Sequence, residues 1–177
     1  MRLGSRRGTP ADLVVVGLGN PGPDYALTRH NVGAEVAECL ATRHGGRMKL
    51  DRSVRTLCGD VRIGPKRVTL AFPQTYMNDS GVAVAGLVRR AGLWEGSQLT
   101  DPLCLVVIHD ELDLPTGRVK VKVGGGTAGH NGLKSVQAHV HTPGFVRVRV
   151  GIGRPPGRQS GADYVLHRPS KADRILL

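Results

Sequence analysis

Leu13-Val-Val-Val-Gly-Leu18 is the segment that most narrows the possible folds. It is a short apolar run ending in glycine, and no residue in it could face water comfortably. Such a run reads as a strand buried on both faces, which requires helices above and below the sheet. Leu103 to Ile108 reads as a second strand of the same kind. Arg118 to Val123 and Phe145 to Ile152 alternate apolar and basic residues instead, as half-exposed strands do. Val54 to Ile63 and Arg67 to Phe72, joined by Gly64-Pro65-Lys66, read as a hairpin. Helices are expected over Ala34 to Arg43, stopped by Gly45-Gly46, over the small residues Gly81 to Ala91, and over Asn131 to Val140. Buried strands mixed with alternating ones, with helices between, predict a single three-layer α/β domain with a twisted mixed sheet.

The 177 residues suit one such domain, assigned to residues 11–177, behind a basic extension over 1–10 that carries no recognisable motif and is expected to be disordered. The tail reads as a truncated helix: Ser170-Lys-Ala-Asp173 has the look of a helix start, and only four residues follow. Cys39, Cys58 and Cys104 are odd in number and widely spaced, which argues against a disulfide framework or a zinc site and fits a reducing cytoplasm. No apolar run has the length of a membrane span, and the basic N-terminus lacks the apolar stretch of a secretory signal.

A formal net charge of +11 favours encounter with polyanions. Aromatic residues make up only 3% of the chain, so a reader that stacks successive bases is not expected. Phosphates and shape are the better target. Arg118, Lys120 and Lys122 alternate with Val119, Val121 and Val123, which in a strand puts the cations on one face and the valines in the core. Arg147 and Arg149 repeat the device, and Lys134 lies between the two segments. A merely solvated sheet face is the plain alternative.

Two glycine-rich segments invite nucleotide readings. Gly17-Leu-Gly-Asn-Pro-Gly22 fits the dinucleotide fingerprint G-x-G-x-x-G after a strand. Pro21 and Pro23 remove or constrain the amides that would face a pyrophosphate, a loop stands where the helix should begin, and no acid ends a second strand. Gly124-Gly-Gly-Thr-Ala-Gly-His-Asn-Gly132 lacks the lysine and hydroxyl of a Walker loop. No nucleotide cofactor is expected.

The chain has no G-x-S-x-G elbow and no H-E-x-x-H, and His139 and His141 lack a third ligand nearby and read as surface residues. What remains is a set of polar residues in loops beside strand ends: Asn20, His30, Asn78, Asp110 and Asn131. Asn20 and Asp110 belong beyond the carboxyl ends of strands, where open α/β sheets bind ligands. Each also has an ordinary explanation, the asparagines as turn or cap residues, His30 as a core histidine and Asp110 as an acceptor for loop amides. Glu111 and Asp113 read as solvated.

Taken together these blocks resemble the bacterial peptidyl-tRNA hydrolase family. Gly17 to Gly22 with Tyr25, Thr28-Arg-His-Asn-Val-Gly33, Thr75-Tyr-Met-Asn-Asp-Ser-Gly81, His109-Asp-Glu-Leu-Asp-Leu-Pro115, Gly124-Gly-Gly and Gly129-His-Asn-Gly-Leu-Lys134 occur in the family's order. Arg147-Val-Arg-Val-Gly-Ile-Gly153 and Asp163-Tyr-Val-Leu166 extend the match. The resemblance implies a monomeric α/β enzyme that hydrolyses the ester between peptide and tRNA without a metal or other cofactor. It implies His30 as the catalytic base, Asp110 as its partner, and Asn20 for the water or the ester carbonyl. Tyr25, Met77, Asn78, His130 and Asn131 would line the substrate site. The resemblance also implies that Lys122 and Arg149 contact tRNA phosphate, with Lys120 and Arg147 expected beside them from the alternation and Lys134 from its place between the two segments. A non-catalytic RNA-binding relative of the same fold is the alternative. Thr127-Ala128 stands where the family more often has glycine or histidine, and its C-terminal helix is usually longer.

Overall fold

The structure, a computed structural model, describes residues 10–177. The expected N-terminal extension falls almost wholly outside that range. In chain order the elements are β1 (Leu13–Gly17), α1 (Val32–Arg43), β2 (Lys49–Asp51), β3 (Thr56–Ile63), β4 (Lys66–Pro73), α2 (Ser80–Arg90), β5 (Trp94–Glu95) and β6 (Gln98–Leu99). There follow β7 (Leu105–Glu111), β8 (Val119–Val123), α3 (Asn131–Val140), β9 (Val146–Gly151), α4 (Gly161–Val165) and α5 (Lys171–Leu176). Strands β5 and β6 form a separate small hairpin, and the others make one seven-stranded sheet in the order β2-β3-β4-β1-β7-β9-β8. The strands β4, β1, β7 and β9 run parallel, and antiparallel pairs close both flanks. The mixed sheet and the layering agree with the sequence reading.

The apolar runs occupy the middle of this sheet because both their faces find cover. Val14 and Val16 point to one side, where they meet Val84 and Leu87 of α2, Val136 and Val140 of α3, and Phe145. Val15 points to the other, in a cluster with Leu70, Ile108, Val32 and Ala41 of α1, and Tyr164 and Val165 of α4. Each fully buried valine or leucine contributes roughly 1.5–3 kcal/mol relative to exposure. The start of α1 presses onto the strand ends through two glycines. A Cβ on Gly17 would stand 2.1 Å from the Gly33 carbonyl oxygen, and one on Gly33 would stand 2.2 Å from that of Ile108. Any side chain at either position would push α1, and the turn in front of it, off the sheet.

One expectation fails at the far edge. Val119, Val121 and Val123 are 55%, 67% and 58% exposed, so the alternation on β8 does not bury its apolar half. Strand β8 is the last of the sheet and pairs only with β9, beyond the helices that cover the interior strands. At the C-terminus Ser170 caps α5 as expected, its Oγ accepting the Asp173 N–H at 3.1 Å.

Candidate active site

His30 lies in a 3₁₀ turn, Arg29–Asn31, between β1 and α1. Its neighbour Arg29 clamps that turn. The buried Arg29 guanidinium sits 3.8 Å over the ring of Tyr164 and donates to the carbonyl oxygens of Tyr164 and His167, each at 3.3 Å. Asn31 fixes the other side, its Oδ1 accepting the Asn20 N–H at 2.9 Å and its Nδ2 donating to the Asn20 carbonyl at 2.8 Å. The turn carrying His30 is therefore tied both to α4 and to the loop after β1.

Asp110, near the end of β7, is buried, and its Oδ1 is 2.9 Å from His30 Nδ1 and 2.9 Å from His130 Nε2. Burial acts to raise the Asp110 carboxyl, but the charge and hydrogen bonds of His130 and His30 outweigh it and hold the group well below the usual carboxylate range. An ionised carboxylate can only accept, so both ring nitrogens facing it are donors. His130 also caps α3: its Nδ1 accepts the Leu133 N–H at 3.3 Å. His130 is thus held with its proton on Nε2, and it secures Asp110 from the side opposite His30. With the His30 proton on Nδ1, the lone pair of Nε2 is left as the free basic site of that ring.

These groups line a cleft of about 920 Å³ that also takes in Asn20, Tyr25, Met77, Asn78 and Asn131. The expected catalytic and substrate-site residues therefore meet at one place. Asn20 Oδ1 accepts the Met77 N–H at 2.7 Å, which fixes the amide orientation and leaves its Nδ2 as an unspent donor. Asn78, in the 3₁₀ turn Met77–Asp79, and Asn131, the first residue of α3, both have exposed side chains, and neither serves as a helix cap. The cap of α3 is His130, a residue type seldom used there, so its capping role leaves no signal in the sequence.

The cationic strands divide. Lys120 pairs across the sheet with Arg149 and Lys122 with Arg147, so the four share a face as the spacing predicted. Lys120, Lys122 and Lys134 are exposed. Arg149 donates through Nε to Glu111 Oε2 at 3.0 Å. Glu111, expected to be solvated, is buried by this pair and also accepts the Asp113 N–H. Arg147 departs from expectation: only 2% of it is exposed, and its guanidinium donates to the carbonyls of Gly125, Gly126 and Pro143 while facing the ring of Phe145. Arg147 holds the glycine loop and is not presented to a phosphate. That loop needs holding, since Gly124, Gly125, Ala128 and Gly129 all have positive φ.

Other lining residues went unread. Tyr76 stands at the cleft, 59% exposed and edge-on to Tyr25 with ring centres 6.2 Å apart. His109 is buried, its Nδ1–H donating to the Asp110 carbonyl at 2.8 Å and its Nε2 without a partner. Burial, and then His130, lower its pKa from 6.5 to about 4. His109 precedes Asp110 at the end of a buried run, and alternation alone would have put its side chain opposite Asp110.

Comparison with known proteins gives one answer. A family profile described as peptidyl-tRNA hydrolase matches residues 14–177. A peptidyl-tRNA hydrolase of Mycobacterium sp. (strain KMS) is 50% identical over 162 residues, covering 92% of this chain and 81% of the relative. One of Anaeromyxobacter sp. (strain K) is 51% identical over 160 residues, covering 90% and 79%. Among solved structures, that of peptidyl-tRNA hydrolase from Acinetobacter baumannii superposes with a TM-score of 0.83 at 36% identity, covering 98% of this chain and 83% of the other.

Proposed function

The chain belongs to the peptidyl-tRNA hydrolase family, and from that premise we propose that it hydrolyses the ester joining a peptide to the 3′ end of tRNA, with His30 as the base. The observation that carries this reading is the shared Asp110 oxygen, 2.9 Å from each of two histidines, beside three asparagines in one cleft.

In this reaction His30 Nε2 takes a proton from a water, whose oxygen bonds to the ester carbonyl carbon. The carbonyl electrons move onto oxygen, where Asn20 Nδ2 is the donor best placed by its own constraints. One such donor is worth roughly 3 kcal/mol in comparable sites. The tetrahedral intermediate then expels the ribose oxygen, which receives the proton from the His30 imidazolium. Asp110 stabilises that imidazolium and keeps the ring in one tautomer. His130 acts through Asp110, as a positioning residue. A ribose oxygen protonated as it departs is a far better leaving group than the amide anion an unprotonated peptide bond would expel, so a base-activated water suffices without a covalent nucleophile or a metal.

Asn78 and Asn131 offer donors and acceptors to the amide next to the ester. A free aminoacyl-tRNA has a charged amine there and would leave those groups unpaired, which favours blocked substrates. Tyr25, Tyr76 and Met77 supply apolar surface for the peptide. Lys120, Lys122, Lys134 and Arg149 meet tRNA phosphates, with Arg147 supporting the loop between them and the cleft. We assign the enzyme to the cytoplasm, in line with its three free cysteines, and take it as a monomer on the resemblance to its family alone. Retention of His30, Asp110 and the asparagines favours an enzyme over a non-catalytic RNA-binding relative.

The test is turnover of N-blocked aminoacyl-tRNA in the presence of a chelator. His30→Ala should lower kcat by roughly 10²–10⁴ with folding and tRNA affinity retained. A variant that releases tRNA at the parental rate would show that the base lies elsewhere.

A further inference from the structure

We propose that His30, Asp110 and His130 also form a site for a borderline-soft divalent metal ion of the Zn²⁺ class, and that its occupancy switches the hydrolytic centre off. The binding claim stands on geometry; only the inhibition rests on His30 being the base.

Each of the three side chains offers one ligand atom, and these atoms lie within 4.8 Å of one another. Tetrahedral Zn²⁺ with nitrogen and oxygen ligands at roughly 2.0–2.2 Å sets its ligand atoms about 3.3 Å apart. The two nitrogen–oxygen separations of 2.9 Å therefore open by a few tenths of an ångström, while the gap between the two nitrogens, within 4.8 Å, closes toward the same value by rotation of the rings. Two imidazoles and a carboxylate with an open fourth position is the donor set of hydrolytic zinc sites, and the cleft supplies the open side. The same set disfavours Mg²⁺ and Ca²⁺, which demand six or more oxygens.

Two further features favour a cation. Among the described residues, the buried Asp110 carboxylate has no lysine or arginine partner, only the two histidines. The turn that carries His30 is also already ordered by the Arg29 clamp, so little of its freedom is lost on binding, whereas His130 exchanges its bond from Leu133 for the metal. His109 lines the same cleft with a buried, unpartnered Nε2, an acceptor for water held on the metal.

Proton bookkeeping gives the functional consequence. Coordination needs the lone pairs of His30 Nδ1 and His130 Nε2, which now bear the protons pointing at Asp110. From neutral rings no proton need be released; each moves to the ring's other nitrogen. In His30 that nitrogen is Nε2, which becomes an N–H donor and can no longer accept a proton from water. In His130 it is Nδ1, which gives up its long 3.3 Å bond from Leu133. The metal thus disables the base by inverting its tautomer.

Co²⁺ is the probe, added to the chelator-treated full-length protein. The wild type should show the visible absorption of four-coordinate Co²⁺, saturating at one ion per chain and displaced by Zn²⁺. His30→Ala and His130→Gln, the latter retaining a cap acceptor, should each weaken binding at least roughly tenfold with their thermal unfolding still cooperative. His141→Asn, at an exposed surface histidine, should leave it unchanged. Zn²⁺, but not Mg²⁺, should suppress hydrolysis with the midpoint seen in the Co²⁺ displacement, and a chelator should restore it. Absence of a saturable one-to-one signal, or a signal undiminished in His130→Gln, overturns the site. Full hydrolysis with the site occupied overturns the inhibition while the site stands. Activity appearing only on adding Zn²⁺ likewise overturns it, and contradicts instead the metal-free reading under Proposed function.

Discussion

Strands β8 and β9 are written in the same alternating pattern of valine and cation, yet the fold uses them in opposite ways. On β9, between neighbouring strands, Arg147 is absorbed by loop carbonyls, and Arg149 is tied to Glu111 through its Nε while sharing a face with Lys120. On β8, at the sheet's edge, Lys120 and Lys122 remain in solvent, and so do all three valines. Strand β7 goes further than β9, burying His109, Asp110 and Glu111. Place in the sheet, and not the pattern of residues, decides whether a charge builds the site or reaches outward from it. The interior strands carry the chemistry; the edge carries the encounter.

The contrast can be broken at its strongest point by acid. The folded chain refuses a proton at His109 until about pH 4, whereas the unfolded chain accepts one below about 6.5. Stability should be full above that window and fall by about 3 kcal/mol as pH drops through it. His109→Asn, which keeps a donor for the Asp110 carbonyl, should run flatter by that amount in urea unfolding across the window; an equal slope would place the effect elsewhere.

Arg147→Ala comes next, with an expected loss of about 2 kcal/mol, since it strands the carbonyls of the glycine loop. It should lower kcat while leaving the salt dependence of tRNA binding as it was. Lys122→Ala should do the reverse, flattening the plot of log affinity against log salt by roughly one unit with stability intact. If the two variants changed places, the division between interior and edge would be wrong. The smallest effect is expected for Val121→Thr, within about 0.5 kcal/mol by thermal unfolding, because an exposed edge residue has no packing to lose.

Much of this was legible in the chain. The apolar runs around Val15 and Val107 could only be interior strands, and the polar residues at their carboxyl ends could only be near one another. The edge valines were misjudged because alternation reports two faces without saying whether a layer covers either. Arg147 was misjudged for a related reason: its partners are backbone carbonyls of a glycine loop, which leave no trace in side-chain pattern. His130 was placed in the cleft by resemblance, but its double duty on Asp110 and on the head of α3 needed coordinates. Loops set such contacts, and loop paths are not periodic.

A sheet that ends in an open strand is an invitation to any other strand with free amides. Here every second residue of that strand is a lysine, Lys120 and Lys122, so two copies approaching edge to edge would bring like charges together. The cations read as a landing place for phosphate would then have a second employment, as guards of colloidal stability. Neutralising Lys120 and Lys122 together would trade RNA affinity for a chain more prone to add strands from its own kind.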